Sequence, residues 1–285
     1  MTLTLGVVFR PQFPPEQLRA VAETAEAVGL DQLWLWEDCF GEAGVSVAAA
    51  ALAWTSRLRV AIGLLPVPLR NVALTAMETA TLARLFPGRI EVGVGHGVQE
   101  WMGQVGARAE SPMTLLREYV TALRALLSGE RVTVAGRYVK LDGVALDWPP
   151  QTPPRLYAGA IGPRSMALSA ELADGTILPG GMSPDGVRAA RAQVAPAGPD
   201  HTLVAYLMTA TGAGAAERLE AEQRAWALDP ANETGVAGDA SEIAASVRRW
   251  ADAGADTVVL QPTPEEPDLV AFMHFAGQAV RPLLS

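Results

Sequence analysis

Two short stretches carry residue types able to do chemistry on a bound molecule. In RLYAGAIGPRSMALSAELADGTIL, Arg155 to Leu178, a branched and apolar run stops at Gly159, passes Ala160, Ile161 and Gly162, and enters a helical pattern at Pro163. Proline suits the first helical position, and the backbone N–H groups of such a turn and of the first helical residues have no partner inside the helix. With Arg164 beside it, the turn is suited to an anion, a phosphate above all. An ordinary strand-to-helix turn accounts for GxxGP equally well, and the spacing leaves both readings open.

In EVGVGHGVQEW, Gly93, Gly95 and Gly97 also follow an apolar run. Glycines there let a flat ring lie against the backbone because no side chain intervenes, or they merely permit sharp turning. The spacing is GxGxG rather than GxGxxG, and no acidic residue ends an adjoining strand where a dinucleotide site needs one. No helical pattern begins directly after it. His96, whose ordinary pKa suits proton exchange near neutrality, and Glu100 are the candidates for proton transfer. A turn histidine bonded for structure is the alternative for His96.

Other chemistries lack their signatures. His201 and His274 are isolated, and no HExxH, GxSxG or GxxxxGK[ST] pattern occurs, so no metal site and no acyl or P-loop chemistry is expected. The single cysteine, Cys39, rules out an intrachain disulfide and a cysteine-rich metal site, and fits a reducing cytoplasm. With 22 basic against 31 acidic residues, a formal charge of -9 and no basic run, nucleic acid is an unsuitable partner. The N-terminus MTLTLGVVFR has no signal-peptide pattern and the longest apolar run, Val45 to Trp54, is short of a bilayer span, so no membrane association and a cytoplasmic location are expected.

Elements must position these residues. Short aliphatic runs at Leu3–Phe9, Gln32–Trp36, Leu58–Leu65, Arg89–Val94, Arg155–Ala158, Gly175–Leu178, Thr202–Thr209 and Asp256–Leu260 read as buried parallel strands. Helical patterns alternate with them at Gln17–Val28, Ser46–Thr55 and Val72–Phe86, then in a long helix from Ser111-Pro112. They continue at Pro163–Leu172, Pro184–Val194, Ala215–Leu228, Ser241–Ala253 and Leu269–Leu283. Between the fourth and fifth units, residues 129–154 break the rhythm: VTVAGRYVKLDGVAL alternates in twos around Gly136 and Gly143, as an inserted hairpin does. Eight strand–helix units predict a (β/α)8 TIM barrel occupying residues 1–285 as one domain. In a barrel, function sits just after the strands, which singles out Arg10, Glu37, Asp38, Cys39, Pro66, His96, Gln99, Glu100, the glycine turns and Gln261.

The chain resembles the bacterial luciferase-like oxidoreductases, and in particular their branch that uses the deazaflavin coenzyme F420. The likeness runs through LWLWEDCF, IGLLPVPLRNVALTAMETATLARLFPGRIEVGVGHG, the Arg155–Leu178 stretch and VAGDASEIAASVRRWADAGADTVVL, and so covers nearly the whole chain. It implies a barrel with an inserted segment, a flavin-type ring at the mouth and its phosphate at the fifth-strand turn. Residue by residue, the resemblance places Asp38 against the ring and matches Gly63, Leu64 and Leu65 to a stretch with an unusual cis peptide behind it. It gives Gly95, His96 and Gly97 to the ring-side turn, and Gly159, Ala160, Ile161, Gly162, Pro163 and Arg164 to the phosphate turn.

Two positions depart from the family pattern: Cys39 stands where many relatives have histidine, and Val98 where relatives that oxidise sugar phosphates have glutamate. Cys39 reads as a small filler rather than a reactive thiol. Trp36 and Trp101 are pocket walls or core aromatics. The expectation is hydride exchange between F420 and a small organic substrate, with a homodimer as the common oligomeric state. The alternatives are an FMN-dependent monooxygenase or a non-catalytic flavin-binding protein of the same fold.

Overall fold

The computed structural model describes residues 3–284. The stretch TLVAYLMTA, Thr202–Ala210, is buried at every position, as a parallel strand covered on both faces must be. Similar apolar runs form β1 (Thr4–Phe9), β2 (Gln32–Leu35), β3 (Arg59–Pro66) and β4 (Ile90–Gly95). An antiparallel hairpin, β5 (Val132–Ala135) and β6 (Lys140–Val144), precedes β7 (Leu156–Gly159) and β8 (Gly175–Ile177). Thr202–Ala210 is β9, followed by β10 (Gly235–Ala237) and β11 (Thr257–Pro262). The eight strands β1, β2, β3, β4, β7, β8, β9 and β11 pair in that order, all parallel, and β11 pairs back onto β1. The barrel is closed, as the eight strand–helix units predicted.

Helices α1 (Leu18–Ala27), α2 (Gly44–Trp54), α3 (Val72–Leu85), α4 (Gln99–Gln104) and α5 (Pro112–Leu127) belong to the first four units. The others are α6 (Pro163–Leu172), α7 (Pro184–Val194), α8 (Ala215–Ala225), α9 (Ala240–Asp252) and α10 (Leu269–His274). In α5, Pro112 opens the helix and Leu115, Leu116, Tyr119, Val120, Leu123, Leu126 and Leu127 are buried, the face expected from their spacing. Helix α9 starts at a reciprocal cap, in which Asp239 accepts from Ser241 N and Glu242 N while Glu242 accepts from Asp239 N. The hairpin stands against α5, where Glu118 accepts the amides of Arg137, Tyr138 and Val139.

Side-chain parity divides the core in two. In β9, Val204 and Tyr206 point into the barrel, packing with Val8, Trp34, Trp36, Ala61, Tyr157, Ile177 and Val259. Leu203, Ala205 and Leu207 point outward to the helices. At the N-terminal end of the interior, Glu91 accepts from Gln32 Nε2 at 3.0 Å and from the Tyr157 hydroxyl at 2.8 Å, and Gln32 accepts from the Trp34 indole at 3.0 Å. On the same end Asp31, Asp174 and Asp256 accept the amides of Leu5, Leu156 and Leu203 on neighbouring strands, each held by an arginine: Arg281, Arg124 and Arg191.

Three elements differ from the sequence expectation. Helix α4 begins at Gln99, two residues past Gly97, and at six residues is too short to show a period. Strand β10, three half-buried residues, pairs with β9 beyond the point where β8 leaves it. The final helix is not continuous to Leu283: α10 ends at His274 and passes through a π turn at Phe275–Val280 into a 3-10 turn at Arg281–Leu284.

Candidate functional site

A cavity of about 730 Å³ opens at the C-terminal ends of the barrel strands. Arg10 follows β1; Trp36, Glu37 and Asp38 follow β2; Gly63, Leu64 and Pro66 close β3; His96 and Gly97 follow β4; Gly159 to Ile161 close β7; Leu178 to Gly180 follow β8. Tyr206 reaches it from β9, and Trp226, just past α8, covers one side.

The wall is shaped at β3. Its pairing with β4 slips between Ile62 and Leu65, and this irregularity leaves Leu64 on the cavity wall while Leu65 packs outward at 1% exposure. Leu64 in turn explains two glycines: a Cβ on Gly95 would lie 2.7 Å from Leu64 Cδ2, and one on Gly159 would overlap the same methyl. Gly95, expected to lie bare against a ring, and Gly159, expected in the phosphate turn, thus both accommodate Leu64, whose side chain supplies the apolar surface instead. Gly63 has a comparable cause, because a Cβ there would overlap the Tyr206 hydroxyl, which donates to the Gly63 carbonyl at 3.3 Å.

Besides the Tyr206 hydroxyl, four titratable groups face the cavity, and two are committed elsewhere. Glu37 accepts from Gly44 N at 2.7 Å and pairs with Arg70 at 3.4 Å, which anchors the start of α2. Arg10, 2% exposed, pairs with Glu222 at 2.9 Å, donates to the Pro262 carbonyl at 2.9 Å and lies 5.4 Å from the centre of the Trp36 ring. Burial lowers its pKa against the opposing pull of Glu222. The remaining two, Asp38 and His96, are half-buried. Burial pushes the Asp38 carboxyl up, with Arg10 opposing, and pushes His96 down, with the Pro112 carbonyl opposing. Both shifts favour the neutral form. Cys39 is free and half-buried, and burial together with Glu37 and Asp38 raises its thiol pKa, which makes it a poor nucleophile.

At the β7–α6 turn, the amides expected to await an anion are partly used. Ile161 N and Gly162 N each donate to Ser165 Oγ at 3.1 Å, and Ala160 N donates to the Ile177 carbonyl at 3.1 Å. The first intrahelical bond runs from Met166 N to the Gly162 carbonyl. The amides of Arg164 and Ser165 are left as the donors of the helix end.

Of the residues assigned from sequence, Asp38, Gly63, Leu64, His96, Gly97, Gly159, Ala160 and Ile161 meet on one wall. Gly95 lies buried behind Leu64, and Gly162, Pro163 and the exposed Arg164 stand on the rim at the start of α6. Leu65 faces away. Glu100 also departs from expectation: it is exposed on the first turn of α4, outside the cavity wall. The non-proline cis peptide joins Cys39 and Phe40 rather than standing behind Gly63. Trp36 and Trp101 both line the cavity.

Sequence reasoning missed Tyr206, Ser165 and Trp226. Ser165 sits at the third helical position, where a hydroxyl has several partners open to it and the sequence does not say which it takes. Tyr206 lies in a strand buried on both faces, where no polarity alternation marks inward positions, and Trp226 lies past a helix end with no signal at all. Among the described residues, no group of three or more His, Cys, Asp or Glu side chains converges as a metal site, and no helix is long and apolar enough to cross a membrane.

Comparison with known proteins agrees with this architecture. The chain is 30% identical over 177 residues to a 5,10-methylenetetrahydromethanopterin reductase of Methanolobus tindarius, covering 62% of this chain and 54% of the relative. It is 31% identical over 185 residues to an F420-dependent glucose-6-phosphate dehydrogenase of Nakamurella multipartita, covering 61% and 55%. The matched regions span little more than half the length of these relatives. Among solved structures, the coenzyme F420-dependent tetrahydromethanopterin reductase of Methanopyrus kandleri superposes with a TM-score of 0.87 at 19% identity over 100% of both chains. An FMN-complexed Baeyer-Villiger monooxygenase component of Pseudomonas putida superposes at 0.79 with 15% identity, covering 99% of this chain and 98% of the other. These likenesses establish the fold. The model of the luciferase-like monooxygenases matches residues 3–261, and with the closed barrel and its C-terminal cavity this places the chain in the luciferase-like monooxygenase family.

Proposed function

We propose that this chain is an F420-dependent oxidoreductase that exchanges hydride between the deazaflavin and a small organic substrate. The observation that carries the reading is the cavity itself: an apolar wall built on Leu64 and Trp36 adjoins unpartnered buried polar atoms, Trp36 Nε1, Arg10 Nε and His96 Nδ1. A flat heteroaromatic molecule with polar edges fits such a lining, since buried donors without partners are costly until a ligand or water satisfies them. F420-dependent glucose-6-phosphate dehydrogenases among the relatives, at 31% to 33% identity, favour the deazaflavin over FMN.

Coenzyme F420, when bound, supplies a two-electron hydride carrier. The chain's part is to bind, orient and handle a proton. The Arg164 and Ser165 amides and the Arg164 guanidinium would hold the phosphate of the tail. Leu64 and Trp36 exclude water from the reacting face. Asp38 and His96, the carboxyl and imidazole on the wall with no side-chain ion pair, would hold or move the proton that accompanies the hydride.

Titration of the purified chain with F420 and with FMN, followed by fluorescence, tests the reading. Saturable F420 binding is expected. Tight FMN binding with negligible F420 affinity would replace it with a flavin monooxygenase, the reading that the FMN-complexed structural neighbour represents.

A further inference from the structure

The strand order puts β1 opposite β7, because three strands separate them whichever way the barrel is followed. The turn at Gly159–Ser165 and the end of β1 are opposite poles of one cavity. A tail held at the first leaves the second for another molecule, which is where Arg10 stands.

Arg10 is a buried cation that already has its counter-charge. Its side chain and that of Glu222 are each 3% exposed, and they meet at 2.9 Å. Gln261 Nε2 adds a hydrogen bond to the same Glu222 oxygen at 3.4 Å, and Asp38 and Glu265 place further negative charge around the guanidinium. A charge matched in this way offers no net attraction to an anion, and a carboxylate or phosphate brought here would meet Glu222 and Asp38 in a medium that screens poorly.

The pole nevertheless has donors to spare. Arg10 Nε and Trp36 Nε1 are buried and without partners, and both residues line the cavity. Around them the surface is aromatic: Trp36 packs edge-on against Tyr206, with centroids 5.2 Å apart, and tilts against Trp226 at 6.5 Å.

We propose that this pole is the substrate pocket and selects uncharged carbonyl compounds with an apolar body over carboxylates and phosphate esters, with Arg10 and Trp36 donating to the carbonyl oxygen and Trp226 covering the apolar part. The assignment of this molecule as substrate rests on the oxidoreductase reading above. The selectivity rests only on the charge balance of the pocket.

Two probes of equal ring size separate charge from shape: cyclohexanone and cyclohexanecarboxylate, each titrated into the wild-type chain with and without F420, with tryptophan fluorescence as the readout. Cyclohexanone is expected to bind about tenfold more tightly than the carboxylate. Glu222→Gln removes the balancing charge and should shift the preference toward the carboxylate by about tenfold, with circular dichroism verifying the fold. If that variant does not fold, Trp226→Ala, a change at a partly exposed side chain, should weaken cyclohexanone binding by about tenfold. Equal or tighter carboxylate binding by the wild type overturns the proposal, as does failure of both probes to bind. F420 binding with a carboxylate preference overturns the pocket and leaves the cofactor reading standing. A retained cyclohexanone preference without F420 binding does the reverse.

Discussion

The two ends of the barrel treat polar groups in opposite ways. At the N-terminal end, Gln32, Trp34, Glu91 and Tyr157 satisfy one another inside the barrel, while Asp31, Asp174 and Asp256 close strand amides and are themselves held by arginines. At the C-terminal end the account stays open. Among the described residues, nine buried side-chain atoms lack a partner, and all but the Trp250 indole belong to residues at this end: Arg10, Trp36, Glu42, Arg70, His96, Arg218, Gln261 and Thr263. Unmet buried polar groups cost stability. Concentrating them at one end is the mark of a scaffold that holds itself together at its base and reserves its mouth for a ligand.

That contrast can be broken by substitution. Glu91→Ala removes the acceptor of Gln32 and Tyr157 and the partner of Arg59, and should lower stability by roughly 3 kcal/mol in urea denaturation while the mouth residues keep their identity. A loss under about 1 kcal/mol would mean that the base is not the anchor.

Gly159→Ala acts at the other end. The new methyl displaces the flexible end of Leu64 into the cavity, so F420 affinity should fall about tenfold while the melting temperature changes little. Unchanged affinity would show that Leu64 does not border the bound ring.

Tyr206→Phe removes the donor to the Gly63 carbonyl and should cost about 1 kcal/mol, measured by thermal and chemical unfolding. The smallest effect is expected at Glu42, whose carboxyl is pushed up to about 7 by burial and by Glu16. A carboxyl with a raised pKa binds its proton more tightly in the folded chain. Stability should therefore rise as pH falls from above 7 toward 4.5, and Glu42→Gln should flatten that slope. Glu26 has the opposite sign: the amides of Ser56, Arg57 and Leu58 hold its pKa down to about 2, so its contribution is complete above the usual carboxylate range and is lost on acidification toward 2. A pH–stability profile of Glu26→Gln checks this from the acid side.

Much of the scaffold was readable before any coordinates. Eight aliphatic runs spaced by amphipathic segments, Pro112 and Pro163 at helix starts, and the twos of the hairpin all depend on local periodicity and backbone conformation, which a linear chain displays directly. Arg10, Asp38, His96 and the Gly159 turn were legible as strand-end residues once the barrel was inferred. Ser165 as the acceptor of the turn amides was not, because a serine in a first helical turn has several partners open to it. The exposure of Glu100 likewise depended on α4, a helix too short to announce itself.

The sequence by itself determined the alternation of buried strands and amphipathic helices, and the count of eight units pointed to a closed barrel over an open sheet. Only the tertiary structure decided which glycines serve Leu64, which amides Ser165 takes, and that Arg10 meets Glu222 across more than two hundred residues of chain. Those are contacts between strand ends and loops distant in sequence, whose partners are chosen by shape and charge in three dimensions and leave no periodic trace along the chain.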